Sequence, residues 1–589
     1  MLGGSLLVCA LPALTVVSEA GALSDAAGTH SPALVQGVGS GAGGTVLQKP
    51  ARPSPPERLS ASAGGGGWLV GADGSLERYH LQPSGIGARV MREVSQDFGR
   101  TWSASRTVGT VAAAVGARLH ALRDRDGELH GFFARPRGEG TRPAVDRFID
   151  LWHLRSTGGG RAWTEPQRIF EGYVGAFQQV LQLRSGRLLL PFARWIGGRP
   201  SAPPTGSNVT TAVFSDDGGK NWRLSAAELT APCYEGFNGN NYGAIEPTVL
   251  EREDGSLWML LRTQTGFLYE STSRNGADWT VARPTRFHSS TSPAFPLRLR
   301  DGRLLLFWNN CAMPPRTSGQ GVYGGRDVLH AAISTDAGRT WRGFREVYRD
   351  PFRNQDPPAF GDRGTAYPWA MDLPDGMVLL VSGQGEGRRA AIRVDPNWLL
   401  EREQEERFSG DLEQWSVFRP YGPAVRFWRA RTQGPQIVDV PDAGAPRALR
   451  LRREPNRDAD GAVWNFPALR RGRLTTEYRL EPGSAGGTVS LVDHFLDPTD
   501  PAGEARSLFT FALPHDSSLA ASRDWNQVTL EWDLGTNRCR VRVNGRALPD
   551  PLRRTASTLE SFGASYFRLR SAAPVAQSAG ILLRAVRVR

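Results

Sequence analysis

The chain has 589 residues, of which 40% are hydrophobic and 22% are charged. It is therefore too long for one ordinary domain and has the composition of a globular protein. Its net charge of +12 comes from arginine, because Lys49 and Lys220 are the only lysines. The arginines are spread along the chain, which argues against nucleic-acid binding and leaves a mild preference for anionic ligands.

The N-terminal region has the pattern of a secretory leader. The apolar run from Leu6 to Val17 is too short to span a bilayer and is followed by Ala20-Gly-Ala22, a small-residue cleavage pattern. We predict a signal peptide at residues 1–22 and a disordered Gly/Ala/Pro linker at 23–56, which has little to bury. The protein is expected to be secreted or periplasmic, and no later stretch is apolar enough to span a membrane.

A short motif with the pattern Ser-x-Asp-x-Gly-x-x-Trp occurs in five near copies, about 60 residues apart. The copies run from Ser95 to Trp102, Ser156 to Trp163, Ser215 to Trp222, Ser273 to Trp279 and Ser334 to Trp341. The Asp can accept backbone N–H bonds, the Gly permits positive φ and the Trp can pack on a neighbouring repeat, which favours a tight turn. The motif resembles the Asp-box. The second copy has Gly158 in place of Asp and the fourth is one residue short, so we expect these two turns to be less rigid.

A second repeat, offset from the first, gives the number of units. Two-residue hairpin signals between apolar runs recur at 73–74, 126–127, 185–186, 254–255, 301–302 and 375–376. Six hairpins with five Asp-boxes predict six four-stranded units, that is, a six-bladed β-propeller over residues 57–403 whose last blade lacks a box.

Beyond residue 403 the Asp-boxes stop and longer alternating strands follow. Trp525 to Asp533 and Cys539 to Arg546 alternate apolar and polar residues, with Asn544-Gly545 as a turn. Residues 404–589 are therefore predicted to form a β-sandwich (jelly-roll) domain, and the pattern resembles concanavalin and laminin-G domains. Both glycan binding and a plain packing role are left open. The predicted fold class is all-β.

Cysteine and histidine spacing gives no sign of a disulfide framework or a metal centre. The cysteines beyond the leader are Cys233, Cys311 and Cys539, without CxxC spacing, and we interpret them as isolated thiols. The nine histidines form no HExxH or comparable set along the sequence. No metal or other cofactor is expected.

Polar residues at matching places in the repeats predict a site at one mouth of the propeller channel. In antiparallel strands, residues equidistant from the connecting turn lie near the same end. Glu246 and Arg262 lie eight residues before and after Asp254. Tyr367 lies eight residues before the sixth hairpin, and Arg326 lies eight before the fifth Asp-box. The four side chains are therefore expected to converge.

The segments around these residues resemble the sialidase superfamily, most clearly from residue 240 onward. Residues 246–262 are similar to the family's glutamate followed by a strand, a hairpin and a triad arginine, and residues 364–376 to the segment of its nucleophilic tyrosine. The resemblance implies a retaining glycoside hydrolase of exo-α-sialidase type. Tyr367 would be the nucleophile and Glu246 its base, while Arg262 and Arg326 would hold the carboxylate of an acidic sugar.

The first two repeats depart from that family's pattern. The family carries its first triad arginine where this chain has Gly64 to Gly67, and its general-acid aspartate where this chain has Gly116-Ala117-Arg118. Arg118 is predicted to be a third carboxylate-binding cation. Two alternatives stay open: a non-catalytic glycan-binding or scaffold propeller, and a glycosidase or lyase for another anionic sugar. The expected partners are acidic-sugar glycans or glycoconjugates.

Overall fold

The computed structural model describes residues 53–60, 67–85, 87–112, 119–158, 160–198, 204–233, 242–311, 325–355, 363–425, 428–440, 446–514, 524–555 and 561–589. Within these residues the regular structure consists of β-strands and two short 3-10 helices, Trp398–Leu400 and Pro501–Arg506. The predicted signal peptide, and the predicted linker as far as residue 52, lie outside the described residues. No helix in the described part is long and apolar enough to cross a membrane.

Six antiparallel sheets, here named blades 1 to 6, follow one another along the chain. Blade 1 contains Gly67–Val70, Leu76–Ser84, Gly87–Ser95 and Arg106–Ala112. Blade 2 contains His120–Arg123, Leu129–Arg137, Phe148–Thr157 and Gln167–Phe170, with Ala162–Trp163 beside its third strand. Blade 3 contains Val174–Ala176, Leu181–Gln182, Leu188–Trp195, Asn208–Ser215 and Arg223–Leu224.

The second half of the ring has the same antiparallel order. Blade 4 contains Ile245–Glu251, Leu257–Arg262, Phe267–Ser273 and Arg283–His288. Blade 5 contains Phe295–Arg298, Leu304–Trp308, Val328–Ser334 and Arg342–Arg349. Blade 6 contains Trp369–Asp372, Val378–Ser382, Ala390–Val394 and, as its outermost strand, Glu57–Arg58. The predicted all-β propeller fold is confirmed.

The outermost strand of blade 6 closes the ring. It comes from the start of the propeller, with Glu57 opposite Arg393 and Arg58 opposite Ile392. This pairing covers the sheet edge that the last blade would otherwise expose. Because the chain supplies that strand from its N-terminal side, blade 6 has no loop between a third and fourth strand of its own, which is where the other blades carry their boxes.

Each of the six predicted hairpins lies within one blade, where it joins an innermost strand to the strand that follows it. Their glycines all have positive φ, between 78° and 92°, and such angles suit glycine because it lacks a Cβ atom. The three intact Asp-boxes are equally regular. In each, the Ser Oγ donates to Asp Oδ1 at 2.8 Å and accepts the Gly N–H at 2.8–2.9 Å, in the boxes of Asp97, Asp217 and Asp336.

The two degenerate boxes obtain the same kind of acceptor from other side chains. Asn275 Oδ1 accepts the N–H of Asp278 at 2.9 Å, as Asp does in the intact copies. In the second box, where Gly158 replaces Asp, Glu128 from the preceding hairpin accepts the Gly158 N–H at 3.0 Å and the Ser156 hydroxyl at 3.1 Å. These turns therefore keep a side-chain acceptor despite the altered sequence.

Two further sheets follow the propeller and pack face to face, which confirms the β-sandwich. One sheet contains, in order, Gln436–Asp439, Arg447–Arg453, Gln577–Val588, Arg471–Leu480, Asn526–Asp533, Arg538–Val543 and Arg546–Ala547, with Gln404–Glu406 and Leu552–Arg553 alongside. The other contains Trp415–Ser416, Gly461–Leu469, Ala564–Ser571, Gly487–Val492 and Phe509–Ala512. Phe418–Val425 and Trp428–Gln433 form a separate hairpin. The core between the sheets includes Trp464 and Trp532. The resemblance to concanavalin or laminin-G domains stays a prediction.

The sandwich packs on blades 4 and 5 through a buried interface. Tyr566 of the sandwich donates its hydroxyl to Glu346 Oε1 of blade 5 at 2.7 Å. Asn465 accepts the Glu346 N–H at 2.8 Å and donates to Phe344 O at 3.0 Å. Cys311 and Val328 share an apolar cluster with sandwich residues such as Phe495. The two domains are therefore held by apolar packing and by specific hydrogen bonds.

Candidate active site

Three of the predicted site residues form one hydrogen-bonded cluster. The Tyr367 hydroxyl lies 3.2 Å from Glu246 Oε1. Arg262 donates from one guanidinium nitrogen to Glu246 Oε2 at 2.7 Å and to the Tyr367 oxygen at 3.3 Å. Glu246 and Arg262 are buried, whereas Tyr367 is only partly buried. A phenol, its potential base and a cation thus share one contact network.

Arg326 lies next to this cluster through Thr291 of the loop that follows blade 4. Thr291 accepts a hydrogen bond from Arg262 Nε at its hydroxyl, 3.1 Å away, and from Arg326 at its carbonyl, 2.7 Å away. Arg326 also donates to Gln384 Oε1 at 3.0 Å, and its guanidinium carbon lies 5.7 Å from the centre of the Tyr367 ring. The two arginines are therefore held in fixed orientations beside the phenol.

The backbone at Glu246 and at Tyr367 adopts an unusual conformation. Their φ angles are 50° and 67°, in the left-handed region that non-glycine residues rarely occupy. Each residue precedes a proline, and Glu246 lies where the pairing of the first two strands of blade 4 shifts register, between Ile245 and Thr248. Strained positions of this kind concentrate at functional sites. The surrounding structure holds both side chains towards the same cluster.

The segment before Tyr367 is fixed against the backbone of Arg326. Thr365 donates its N–H to Arg326 O at 2.7 Å. At Gly364, φ is 116° and an added Cβ would lie 2.2 Å from that same oxygen, so only glycine fits. Sequence reasoning missed Thr291, Thr365 and Gln384 because they are ordinary loop residues with no distinctive spacing.

The innermost strands of blades 1 and 2 line a small cavity in the described part of the propeller. Arg118 lies outside the described residues. At Gly67, an added Cβ would lie 2.4 Å from Ala121 N of blade 2, so these two blades approach too closely there for a side chain. A small channel cavity of about 40 Å³ is lined by residues that include Trp68, His120, Gln179 and Arg389, with no carboxylate among its described lining residues. No general acid is therefore identified at this cavity.

The geometry of the cluster suits nucleophilic chemistry at an anionic substrate. A phenol with an ordinary pKa of about 10 becomes nucleophilic when a neighbouring carboxylate accepts its proton. Two guanidinium groups on one side of it can hold a carboxylate through charge-assisted hydrogen bonds. The described residues that converge here therefore offer a nucleophile, a base and an anion-binding pair.

Comparison with known protein families gives a match to the BNR repeat-like domain over residues 90–380. That range covers blades 2 to 5 and parts of blades 1 and 6. The match spans just under half of the chain. It confirms the predicted BNR repeats of the propeller over these residues. No curated protein matches the chain.

Several solved structures are similar to the chain at low sequence identity. A protein of unknown function from Dyadobacter fermentans is 17% identical and has a TM-score of 0.41. The aligned region covers 58% of this chain and 97% of the Dyadobacter chain. Trypanosoma rangeli sialidase in complex with sialic acid is 13% identical, covers 92% and 95% respectively, and has a TM-score of 0.36. NanB sialidase from Streptococcus pneumoniae is 12% identical, covers 58% and 71%, and has a TM-score of 0.38.

Proposed function

We propose that the protein is a retaining glycoside hydrolase of exo-α-sialidase type that acts on an acidic-sugar glycoside. The observation that carries the proposal is the contact of the Tyr367 hydroxyl with Glu246 at 3.2 Å, with Arg262 donating to both groups. The match of residues 90–380 to the BNR repeat-like domain supports the same reaction class. The sugar carboxylate would bind Arg262 and Arg326, with Arg118 as a proposed third cation.

The proposed reaction has two steps. In the first, Tyr367 transfers its proton to Glu246 while its oxygen attacks the anomeric carbon, and the bond to the leaving group breaks as the leaving oxygen takes a proton from solvent. In the second, water attacks the anomeric carbon of the tyrosyl-sugar bond, the Tyr367 oxygen leaves and takes a proton back from Glu246, and the water proton passes to solvent. A tyrosine suits this role because, before attack, it carries no charge to repel an anionic sugar.

A non-catalytic glycan-binding propeller is the second candidate. Two observations favour it. Position 67 is a glycine packed against blade 2, and the described residues that line the small channel cavity include no carboxylate. Without a general acid, a substrate with a poor leaving group would react slowly, by a factor of roughly 10² to 10⁴. A glycosidase or lyase for another anionic sugar is the third candidate.

We also propose that the protein works outside the cytoplasm, in the periplasm or after secretion, where it would meet glycoconjugates. The support for this is the leader pattern at residues 1–22. Expression of the full-length chain with a C-terminal epitope, followed by fractionation and N-terminal sequencing of the mature protein, tests the proposal. A cytoplasmic protein that keeps its first residues would contradict it.

The reaction is tested by intermediate trapping together with a substrate panel. Aryl glycosides of sialic acid and of uronic acids have good leaving groups, so they report on nucleophilic attack even when the general acid is missing. A 2,3-difluorosialic acid should add one sugar to the intact mass of the wild type, at Tyr367, and none to Tyr367→Phe. If no substrate turns over and no label forms, while Arg262→Ala abolishes glycan binding, the binding propeller is preferred.

A further inference from the structure

Two histidines and an aspartate lie close together between the two domains. His288 ends the outermost strand of blade 4, and Asp493 and His494 directly follow the sandwich strand Gly487–Val492. One potential ligand atom from each of the three lies within 4.8 Å of the other two. Among the described residues this is the only group of three or more His, Cys, Asp or Glu side chains with that property.

Two imidazole nitrogens in this group lack a hydrogen-bond partner although they are buried. His494 Nδ1 lies 2.6 Å from Asp493 Oδ1, but His494 Nε2 has no partner, and neither has His288 Nδ1. The side chains of His494 and Asp493 are only 4% and 6% exposed. Leaving two buried polar atoms unsatisfied in one small volume is costly, and a ligand that accepts their lone pairs would remove that cost.

We propose that His288, Asp493 and His494 bind a divalent transition-metal ion, with zinc the best match, and that the ion joins the propeller to the sandwich. Two imidazoles and a carboxylate are a common zinc donor set. Zinc ligands at about 2.0–2.2 Å from the ion lie little more than 3 Å from one another. Small side-chain rotations would bring the present donor atoms to that spacing, and a water molecule would complete a tetrahedral site.

Sequence reasoning gave no metal site because more than 200 residues separate His288 from Asp493 and only the docking of the domains brings them together.

The position of the group connects it to the candidate active site. His288 lies three residues before Thr291, which holds Arg262 and Arg326. The His288 carbonyl accepts a hydrogen bond from Trp308 Nε1 at 2.8 Å, and Asn310 donates to Asp493 O at 2.9 Å. A metal ion here would therefore fix the start of the loop that orients both arginines. The metal site itself does not depend on the proposed function.

The test measures zinc in the untagged full-length protein. After purification and dialysis against zinc chloride and then metal-free buffer, elemental analysis should give about one zinc per chain. Cobalt(II), substituted after EDTA treatment, should give the intense visible absorption of a tetrahedral complex. Zinc should raise the Tm of the EDTA-treated protein, because an ion that binds only the folded state stabilises it.

The variants His288→Asn and His494→Gln should lose nearly all bound zinc. His330→Gln is the matched control, since His330 is also buried at the domain interface, but both of its ring nitrogens have partners, Asn310 N at 3.1 Å and the Tyr566 hydroxyl. This variant should keep the zinc stoichiometry of the wild type. Full zinc content in both His288→Asn and His494→Gln would overturn the proposal.

If neither variant folds, the wild type alone decides the question. An EDTA-treated wild type that binds neither zinc nor cobalt, and whose Tm does not respond to either ion, would show that the two nitrogens are satisfied without a metal. That result overturns the proposal. Uptake of one ion per chain, with a tetrahedral cobalt spectrum and a rise in Tm, supports it.

Discussion

Among the described residues of the propeller, two clusters of tyrosine, glutamate and arginine differ in their surroundings. In blade 1 the Tyr79 hydroxyl donates to Glu77 Oε2 at 2.6 Å, and the same carboxylate accepts from Arg92 at 2.6 Å and Arg123 at 2.7 Å. In the candidate active site, Tyr367, Glu246 and Arg262 make the corresponding contacts at 2.7–3.3 Å. The same three residue types thus occur as a cluster in both places.

The two clusters differ in access and in backbone conformation. Tyr79 is 3% exposed and belongs to the apolar core between blades 1 and 2, and burial, reinforced by Glu77, raises its pKa well above the ordinary value. Tyr79 and Glu77 lie in a strand that pairs with its neighbours without a register shift. Tyr367 is more accessible, and both it and Glu246 have positive φ. Residue types alone therefore do not define a candidate site; accessibility and backbone strain separate it from a packing cluster.

The largest expected effect separates the two tyrosines. Tyr367→Phe keeps the ring but removes the oxygen that we propose as the nucleophile, so kcat on an aryl sialoside should fall by roughly 10³-fold or more, with little change in binding or in Tm. Steady-state kinetics, glycan-binding titrations and thermal melts measure the three quantities. Turnover unchanged by this substitution would exclude Tyr367 as the nucleophile.

Tyr79→Phe is the matched control and should behave in the opposite way. It removes one of three donors to a buried carboxylate, so the free energy of unfolding should fall by roughly 1 to 3 kcal/mol. The kcat of the folded protein should stay unchanged, because Tyr79 lies in the core rather than at the mouth. If Tyr79→Phe lowered kcat as much as Tyr367→Phe does, the distinction between the clusters would be wrong.

The second prediction concerns the arginines. Arg262→Ala removes a proposed ligand of the sugar carboxylate and also breaks the ion pair of the buried Glu246. Affinity for acidic sugars should therefore fall by roughly 10²-fold, on the scale of a lost charged hydrogen bond. The difference from wild type should shrink in high salt because screening weakens the remaining attraction. Arg123→Ala, at the blade 1 cluster, should lower Tm without changing glycan affinity. Equal loss of affinity in both variants would contradict the assignment of the mouth as the binding site.

The sequence was enough to predict the blade count and the convergence of four side chains. Hairpins and Asp-boxes are local motifs whose spacing counts the strands directly. Glu246, Arg262, Arg326 and Tyr367 could be placed because each lies a fixed number of residues from such a motif. The catalytic and binding roles of these residues stay predictions.

Features that depend on contacts between distant segments could not be predicted from the sequence. Glu57–Arg58 was not foreseen as the last strand of blade 6, because two residues carry no alternating pattern. Glu128 was not expected to replace the missing Asp of the second box, since it belongs to another loop. The contact of Thr291 with two arginines depends on how blades 4 and 5 pack together. The spacing of motifs along the sequence does not predict that packing.

A third, smaller effect on stability is expected from the Asp-boxes, which we expect to stabilise the blades and not to bind the ligand. Asp336 Oδ1 accepts the Thr340 N–H at 2.8 Å and the Ser334 hydroxyl at 2.8 Å. Asp336→Ala should therefore lower the free energy of unfolding by roughly 1 to 3 kcal/mol. Glycan affinity and kcat of the folded variant should equal those of wild type. Lost glycan binding with an unchanged Tm would mean that the box, and not the mouth, contacts the ligand.

The smallest effect is the pH dependence of that stabilisation. Burial opposes ionisation of Asp336, but hydrogen bonds from Thr340 and Ser334 outweigh it and lower the pKa from 3.8 to about 2. Between these two pKa values the folded state binds fewer protons than the unfolded state. The contribution of Asp336 to the free energy of unfolding is therefore complete above about pH 4 and is lost as the pH falls towards 2.

This loss can be isolated by comparing two proteins at each pH. Buried His330, whose pKa burial lowers to about 3, destabilises wild type and Asp336→Ala equally as the pH falls below 6.5, so its effect cancels in the difference between their Tm values. That difference should stay constant from pH 7 to about 4 and then shrink towards pH 2. A difference that grows over the acid range would mean that protonated Asp336 stabilises the turn better than the carboxylate does, and would contradict the hydrogen-bonding role assigned to the intact boxes.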